Sequence, residues 1–189
     1  MTSVPTFAIR PTFLGVDQTS AGAAICVAGI PFDLGTSNRP GARFGPAAIR
    51  QASRMLVDGD HPVSWAEMER LGVADIGDFH IAHGDIQGTL VKIEAQAAPL
   101  DHLVALGGAT SYLSFDIDAL DPAFAPGTGT PEVGGLATWQ VRAILRRLAG
   151  LRFAGMDVVE VSPPYDVAEI TALAAATIAW DYIGLLAAR

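Results

Sequence analysis

The stretch SFDIDALDP, Ser114 to Pro122, holds the residues best suited to chemistry. Asp116 and Asp118 stand two apart in a β-type run. That spacing puts both carboxylates on one face, with Cα atoms roughly 6–7 Å apart, and turns Ile117 the other way. Two carboxylates converging at the carboxyl end of a parallel strand occupy the place where α/β folds build their sites. Left alone they repel and one protonates; a hard divalent cation removes that cost. For an isolated D-x-D the plainer alternative is an Asp-rich strand end that caps a loop. His80 and His83 in DFHIAHGD have an H-x-x-H spacing beside Asp78 and Asp85; a surrogate metal site is the lesser reading of that spacing, and they are not expected to replace missing ligands. His61 sits in the polar turn DGDHP and reads as solvated; His102 precedes a strand and reads as a surface or sheet-end residue. Arg39, Arg43 and Arg50 are open to two readings, steering an acidic group or pinning loops and subunit contacts. The Gly-rich GTGTPEVGG lacks the Lys-Ser/Thr ending of a phosphate cradle, and Glu132 would repel phosphate.

These groups need a scaffold. Half of the 189 residues are hydrophobic and the mean hydropathy is +0.35, ample for a buried core and too apolar for a disordered chain. The length suits a single domain over 1–189. Charged residues make up only 17%, which points to apolar surface covered by another subunit and hence to a homo-oligomer. A formal charge of −8 and a pI near 4.8 leave no basic stripe, so no nucleic-acid partner is expected. The lone Cys26 lies in the apolar run AAICVAG and reads as a reduced, buried thiol, consistent with a cytoplasmic protein. Residues 1–14 lack a signal-peptide pattern. The apolar C-terminal segment is interrupted by Asp181 and reads as a buried helix, so no membrane span is expected.

Short apolar β-type runs alternate with helical patterns, the signature of α/β with a mainly parallel sheet. AICVAG at 24–29 and LGVADIG at 71–77 read as strands, with a long Gly/Pro-rich loop after the first. Pro46 opens a helix whose face holds Ile49, Ser53 and Leu56. Asp85 caps a second with an inner face of Ile86, Leu90 and Ile93. A third starts near Thr138, presents Val141, Ile144, Leu145 and Leu148, and ends at Gly150. FAGMDVVEV at 153–161 is a strand. Asp166 then caps an Ala-rich helix to about Leu186, with Glu169 at the capping-box position.

One spacing is anomalous. LVAL at 103–106 and YLSFDI at 112–117 both read as strands, yet only GGATS separates them. Parallel neighbours need a crossover of a dozen or more residues. Either the two form an antiparallel hairpin, or material that once joined them is gone.

The run SFDIDALDPAFAPGTGTPEVGG resembles a signature of the ureohydrolase family of arginase, agmatinase and guanidinobutyrase. GIPFDLGTSNRPGARFGPAAIR at 29–50 and GMDVVEVSPPYDVAEITALAAATIAW at 155–180 are similar to its agmatinase-like branch, and VADIGDF and VALGG extend the likeness over nearly the whole chain. The resemblance implies a three-layer α/β arginase-like fold with a mainly parallel sheet. It further implies hydrolysis of a guanidino compound, agmatine or a guanidino acid, to urea and an amine, with two Mn2+ ions as cofactor. By resemblance Asp116 and Asp118 are metal ligands, and Glu160 in DVVEVSP holds the substrate guanidinium. Thr128, Thr130 and Glu132 shape the site, and the loop of His80 and His83 borders the substrate entrance.

The departures from the pattern are specific. Where the family carries Gly-Gly-Asp-His with a metal-binding His, this chain reads GGAT, with Ala109 and Thr110 at those positions. The family's Asp-Ala-His-x-Asp segment and its proton-shuttling His do not occur in the sequence. The absent block amounts to several βαβ units, on the order of a hundred residues at about 30 each, and the short GGATS connection points to the same gap, at about 108–112. The fold is therefore expected to be internally truncated. Two of six expected ligands remain, no catalytic His is left, and hydrolysis by this chain is expected to be impaired. The alternative function is a non-catalytic homologue, or a module that binds a small molecule or a subunit.

Overall fold

The computed structural model describes residues 11–56, 61, 71–100 and 111–187. Among them the β-type runs form two parallel pairs. β1 (Ile25–Gly29) pairs with β2 (Val73–Asp78), Ile25 beside Val73 and Gly29 beside Asp78. β3 (Ser111–Asp116) pairs with β4 (Phe153–Val159), Ser114 beside Asp157 and Asp116 beside Val159. Each pair is a two-stranded sheet of its own. The expected parallel pairing is present, but as two short sheets, because no strand among the described residues carries the ladder from one pair to the other. The LVAL run, the GGAT stretch and His102 lie outside the described residues.

The helices follow their punctuation. α1 (Gly45–Ser53) carries Pro46 in its first turn, where a missing N–H leaves no ladder bond unmade. α2 (Ile86–Ala97) is capped by Asp85, whose carboxylate accepts the Gly88 N–H at 2.9 Å. α3 (Thr138–Arg147) is followed by Gly150 at φ +97°. α4 (Ile170–Ala187) is capped by Asp166, which accepts from the N–H groups of Thr171 (2.9 Å) and Ala172 (3.0 Å). Glu169 does not form the expected capping box. It and Ala168 take left-handed φ values of 60° and 51°, so the chain enters the helix only after Glu169.

α4 holds the two sheets together. Its Ala174, Ala175 and Ile178 pack with Ile117, Leu120, Val141 and Leu145 around the β3–β4 pair. Its Ala172, Ala176, Trp180 and Ile183 pack with Phe13, Leu14, Ala52 and Val73 around the β1–β2 pair. Small alanines let the helix approach both sheets closely. The helix is long and apolar enough to cross a membrane, yet 61% of it is buried in the chain's own interior. Asp181 sits buried within it because Arg142 of α3 donates to both its oxygens, at 2.6 and 3.0 Å.

Four expectations need correction. His61 is buried at 2% exposure, with Nε2 3.4 Å from Asp181 and its ring edge-on to Trp180. Gly184 makes the room: a Cβ there would lie 2.8 Å from the imidazole. The polarity of DGDHP hid a partner more than a hundred residues away. On α2, Ile86 and Leu90 are half exposed, at 49% and 50%, and the only buried residue is Thr89. The periodicity names an apolar face, but no further sheet layer among the described residues covers it. Ile144 of α3 is likewise 48% exposed. Cys26 is half-buried on β1, its thiol 3.5 Å from the Ala21 carbonyl, and that partial burial pushes its pKa up.

Candidate functional site

β3 ends at Asp116, and the chain then tightens into a 3-10 turn, Ile117–Ala119. Asp118 therefore lies on a turn, where a continuous strand was expected. The turn is set by Asp116 itself, whose Oδ1 accepts the Asp118 N–H at 3.1 Å. Ile117 between them is fully buried in the core, as the alternation predicted. Its anchoring turns both carboxylates outward.

β4 delivers the third carboxylate. The strand stops at Val159, and Glu160 takes a left-handed φ of 64°. For a non-glycine residue this costs on the order of 1–3 kcal/mol and persists only where neighbours enforce it. Here the Ser162 N–H donates to the Gly127 carbonyl at 2.7 Å immediately beyond.

Two loops complete the surround. In the loop after Asp121, Thr130 donates its hydroxyl to Asp118 Oδ2 at 2.7 Å. That loop is clamped to the 3-10 turn at Gly135, where a Cβ would stand 2.6 Å from the Asp121 nitrogen and 2.7 Å from the Leu120 carbonyl carbon. The loop after β1 is organised by buried Asp33, which accepts the Gly41 N–H at 2.8 Å and the Arg43 Nε–H at 2.7 Å. At its tip Asn38 donates to the Gly129 carbonyl at 3.0 Å, and Arg39 lies over the Tyr165 ring at 5.3 Å.

The result is a cavity of about 180 Å³ lined by Asp116, Asp118 and Glu160, with Gly129 and Thr130 from one loop and Gly35, Thr36 and Ser37 from the other. Three acids and three hydroxyls line it, and no basic side chain does. Burial pushes the Asp116 carboxyl up to about 6, and the neighbouring charges of Asp118 and Glu160 push the same way against the Asp118 N–H. A carbon-13 titration of the Asp116 carboxyl should have its midpoint near 6, well above an ordinary aspartate. Because the folded state holds this proton more tightly, Asp116 lowers stability as pH rises from about 4 to 6.

Asp116, Asp118, Glu160 and Thr130 thus line one cavity. Thr128 is fully buried behind Gly129, and Glu132 is exposed outside the cavity. His80 and His83 are exposed and do not line it. Arg43 pairs with Asp33, and Arg50 pairs with Asp75 and Asp78, so both pin the chain. Thr36 and Ser37 were missed. Their one signal was the length of the Gly/Pro-rich loop that carries them. Among the described residues no group of three or more His, Cys, Asp and Glu is arranged to hold a metal ion.

Comparison with known proteins gives the chain its kin. The model of the Arginase family matches residues 23–109 and 100–184 as two stretches that meet at 100–109. Agmatinase of Salmonella dublin is 32% identical over 267 residues, taking in 86% of this chain and 87% of the relative. That span exceeds the 189 residues present here, so the alignment passes over residues of the relative that have no counterpart, in accord with an internal gap. Among solved structures, proclavaminate amidino hydrolase from Streptomyces clavuligerus superposes with a TM-score of 0.87 at 26% identity, covering 98% of this chain and 100% of that one. A hypothetical agmatinase from Burkholderia thailandensis gives 0.86 at 26% identity, covering 96% and 91%. Trypanosoma cruzi formiminoglutamase, solved with Mn2+, shares the fold with a TM-score of 0.74 at 15% identity, covering 94% and 97%. The chain belongs to the arginase family, and its fold is the α/β arginase-like one.

Proposed function

We propose that the cavity is the guanidinium-recognising part of a ureohydrolase site, with agmatine or a related guanidino compound as its ligand. Three carboxylates from the carboxyl ends of β3 and β4 line one cavity without a basic side chain, and this observation carries the reading. Glu160 pairs with the planar guanidinium, whose fork of N–H donors matches a carboxylate edge. Asp116 and Asp118 are the carboxylates of the metal side. The agmatinases to which this chain is similar support the choice of ligand.

Manganese is the cofactor that the family resemblance implies. Where a complete set of ligands holds it, it activates water at neutral pH and fixes its position. The residues of this chain do not fit a two-ion centre. Octahedral manganese takes oxygen and imidazole donors to about six per ion, and a pair needs still more than two aspartates provide. Asp118 Oδ2 accepts the Thr130 hydroxyl and Asp116 Oδ1 the Asp118 N–H, so one lone pair on each of these oxygens is committed. The donor count favours the second reading, a homologue that recognises the guanidino group without turning it over. The exposed apolar face of α2 supports association between copies, and the acidic net charge of −8 supports a partner other than nucleic acid.

Calorimetric titration with agmatine tests the assignment. The chain should bind one equivalent, and Glu160→Gln should weaken binding about 10- to 100-fold, the loss of one charge-assisted pairing worth about 1.5–3 kcal/mol. Equal affinity in Glu160→Gln would remove Glu160 from the site.

A further inference from the structure

We infer that Asn38 is a positioning residue for the tail of the guanidino ligand: it holds the loop after β1 against the cavity, so that Thr36 and Ser37 meet whatever extends beyond the guanidinium. The inference rests on the guanidinium reading just given. The wall that this loop contributes, Gly35, Thr36 and Ser37, lies between two fixed points. On one side stands buried Asp33, whose carboxylate accepts the Gly41 N–H at 2.8 Å and the Arg43 Nε–H at 2.7 Å, and whose carbonyl accepts the Thr36 N–H at 3.2 Å. On the other, exposed Asn38 donates its side-chain N–H to the Gly129 carbonyl at 3.0 Å, 91 residues away along the chain. That single bond ties a loop leaving the β1–β2 pair to the loop between β3 and α3.

The latch sits beside the carboxylate assigned to the guanidinium. A Cβ on Gly129 would stand 3.1 Å from the Arg39 carbonyl oxygen and 3.7 Å from Glu160 Oε2, so the loop and Glu160 face each other across one glycine. A ligand whose guanidinium pairs with Glu160 therefore carries its next atoms along the loop. Thr130 already gives its hydroxyl to Asp118, which leaves Thr36 and Ser37 as the other side-chain hydroxyls of the lining. A wall held at both ends is in place before the ligand arrives. Without Asn38 the segment beyond Asp33 must be ordered on binding, and that cost falls only on a ligand long enough to touch it.

The test compares the full parent chain with Asn38→Ala by NMR titration of nitrogen-15-labelled protein with two probes. One is agmatine; the other is methylguanidine, which keeps the guanidinium and lacks the tail. The parent should bind both, agmatine more tightly. Asn38→Ala should raise the agmatine Kd about 3- to 10-fold, for the loss of one hydrogen bond and of a pre-ordered wall, and leave the methylguanidine Kd unchanged. Its melting temperature should stay within about 2 °C of the parent's, as for any exposed substitution, and a larger fall would make Asn38 a structural residue and overturn the inference. An unchanged agmatine Kd, an equal loss for both probes, or agmatine bound no more tightly than methylguanidine by the parent also overturns it, while leaving guanidinium recognition in place. No methylguanidine binding by the parent refutes the guanidinium reading itself, and this inference with it.

Discussion

The purified chain, given agmatine and Mn2+ at neutral to mildly alkaline pH, should release no measurable urea. Enzymes of this kind of chemistry owe rate enhancements of at least about 10⁶-fold to the positioned and activated water that metal ions supply. On the proposed reading the cavity keeps the carboxylates that pair with a guanidinium, and among the described residues it lacks the imidazoles and further donors that would make the nucleophile. Its three carboxylates come with no imidazole, and both described histidines of the DFHIAHGD loop point to solvent. A modest slowing is therefore not the expected outcome; background is. A colorimetric urea assay over hours, with the Asp116→Ala variant as the blank, measures this directly. Urea formed by the parent chain and abolished in that variant would show that a working centre assembles after all.

The largest stability effect should follow from Arg50→Ala. Arg50 leaves α1 nearly buried, its Nε and Nη2 on the two oxygens of Asp75 at 2.7 and 3.0 Å and its Nη1 on Asp78 at 2.5 Å. Asp75 in turn accepts the Phe13 N–H at 2.7 Å and the Gly77 N–H at 2.9 Å, so one carboxylate ties the N-terminal segment, α1 and β2 together. Removing the guanidinium strands a buried carboxylate, at a cost of about 3–5 kcal/mol. Against a net stability of about 5–15 kcal/mol that is a large share, and the melting temperature should fall by roughly 10 °C or more. Burial alone would raise the Asp75 carboxyl, but Arg50 and the two N–H groups outweigh it and hold it below the usual carboxylate range. The parent chain thus keeps this contribution above about pH 4 and loses it as pH falls further. Arg50→Ala should behave oppositely and gain stability on acidification, as the stranded Asp75 takes up its proton. Thermal unfolding followed by circular dichroism at pH 7 and pH 5 would show it; a variant as stable as the parent at both would mean the clamp contributes little.

Much of this was legible in the residues themselves, and what was not shares a physical cause. Asp116 and Asp118 stood out because a D-x-D at the end of a β-type run is written locally, although the second aspartate proved to lie on a turn. Glu160 stood out only through the family resemblance, and Asp85 and Asp166 announced their helices locally. His61 was misread because its neighbours in sequence are polar while its neighbours in space, Trp180, Asp181 and Gly184, belong to α4. The Arg50–Asp75 clamp was invisible on similar grounds, joining residues 25 apart with no motif between them. Ile86 and Leu90 mark an apolar face correctly, but periodicity cannot say whether a layer exists to cover it. Thr36 and Ser37 reach the cavity on an irregular loop, which has no period to read.

A metal count decides whether a paired-ion centre exists in this chain. Protein equilibrated with excess manganese, desalted by gel filtration and analysed for its elements should retain fewer than two ions per chain. Two manganese ions held per chain through the column would contradict it, for that outcome requires donors that two aspartates and a glutamate do not provide.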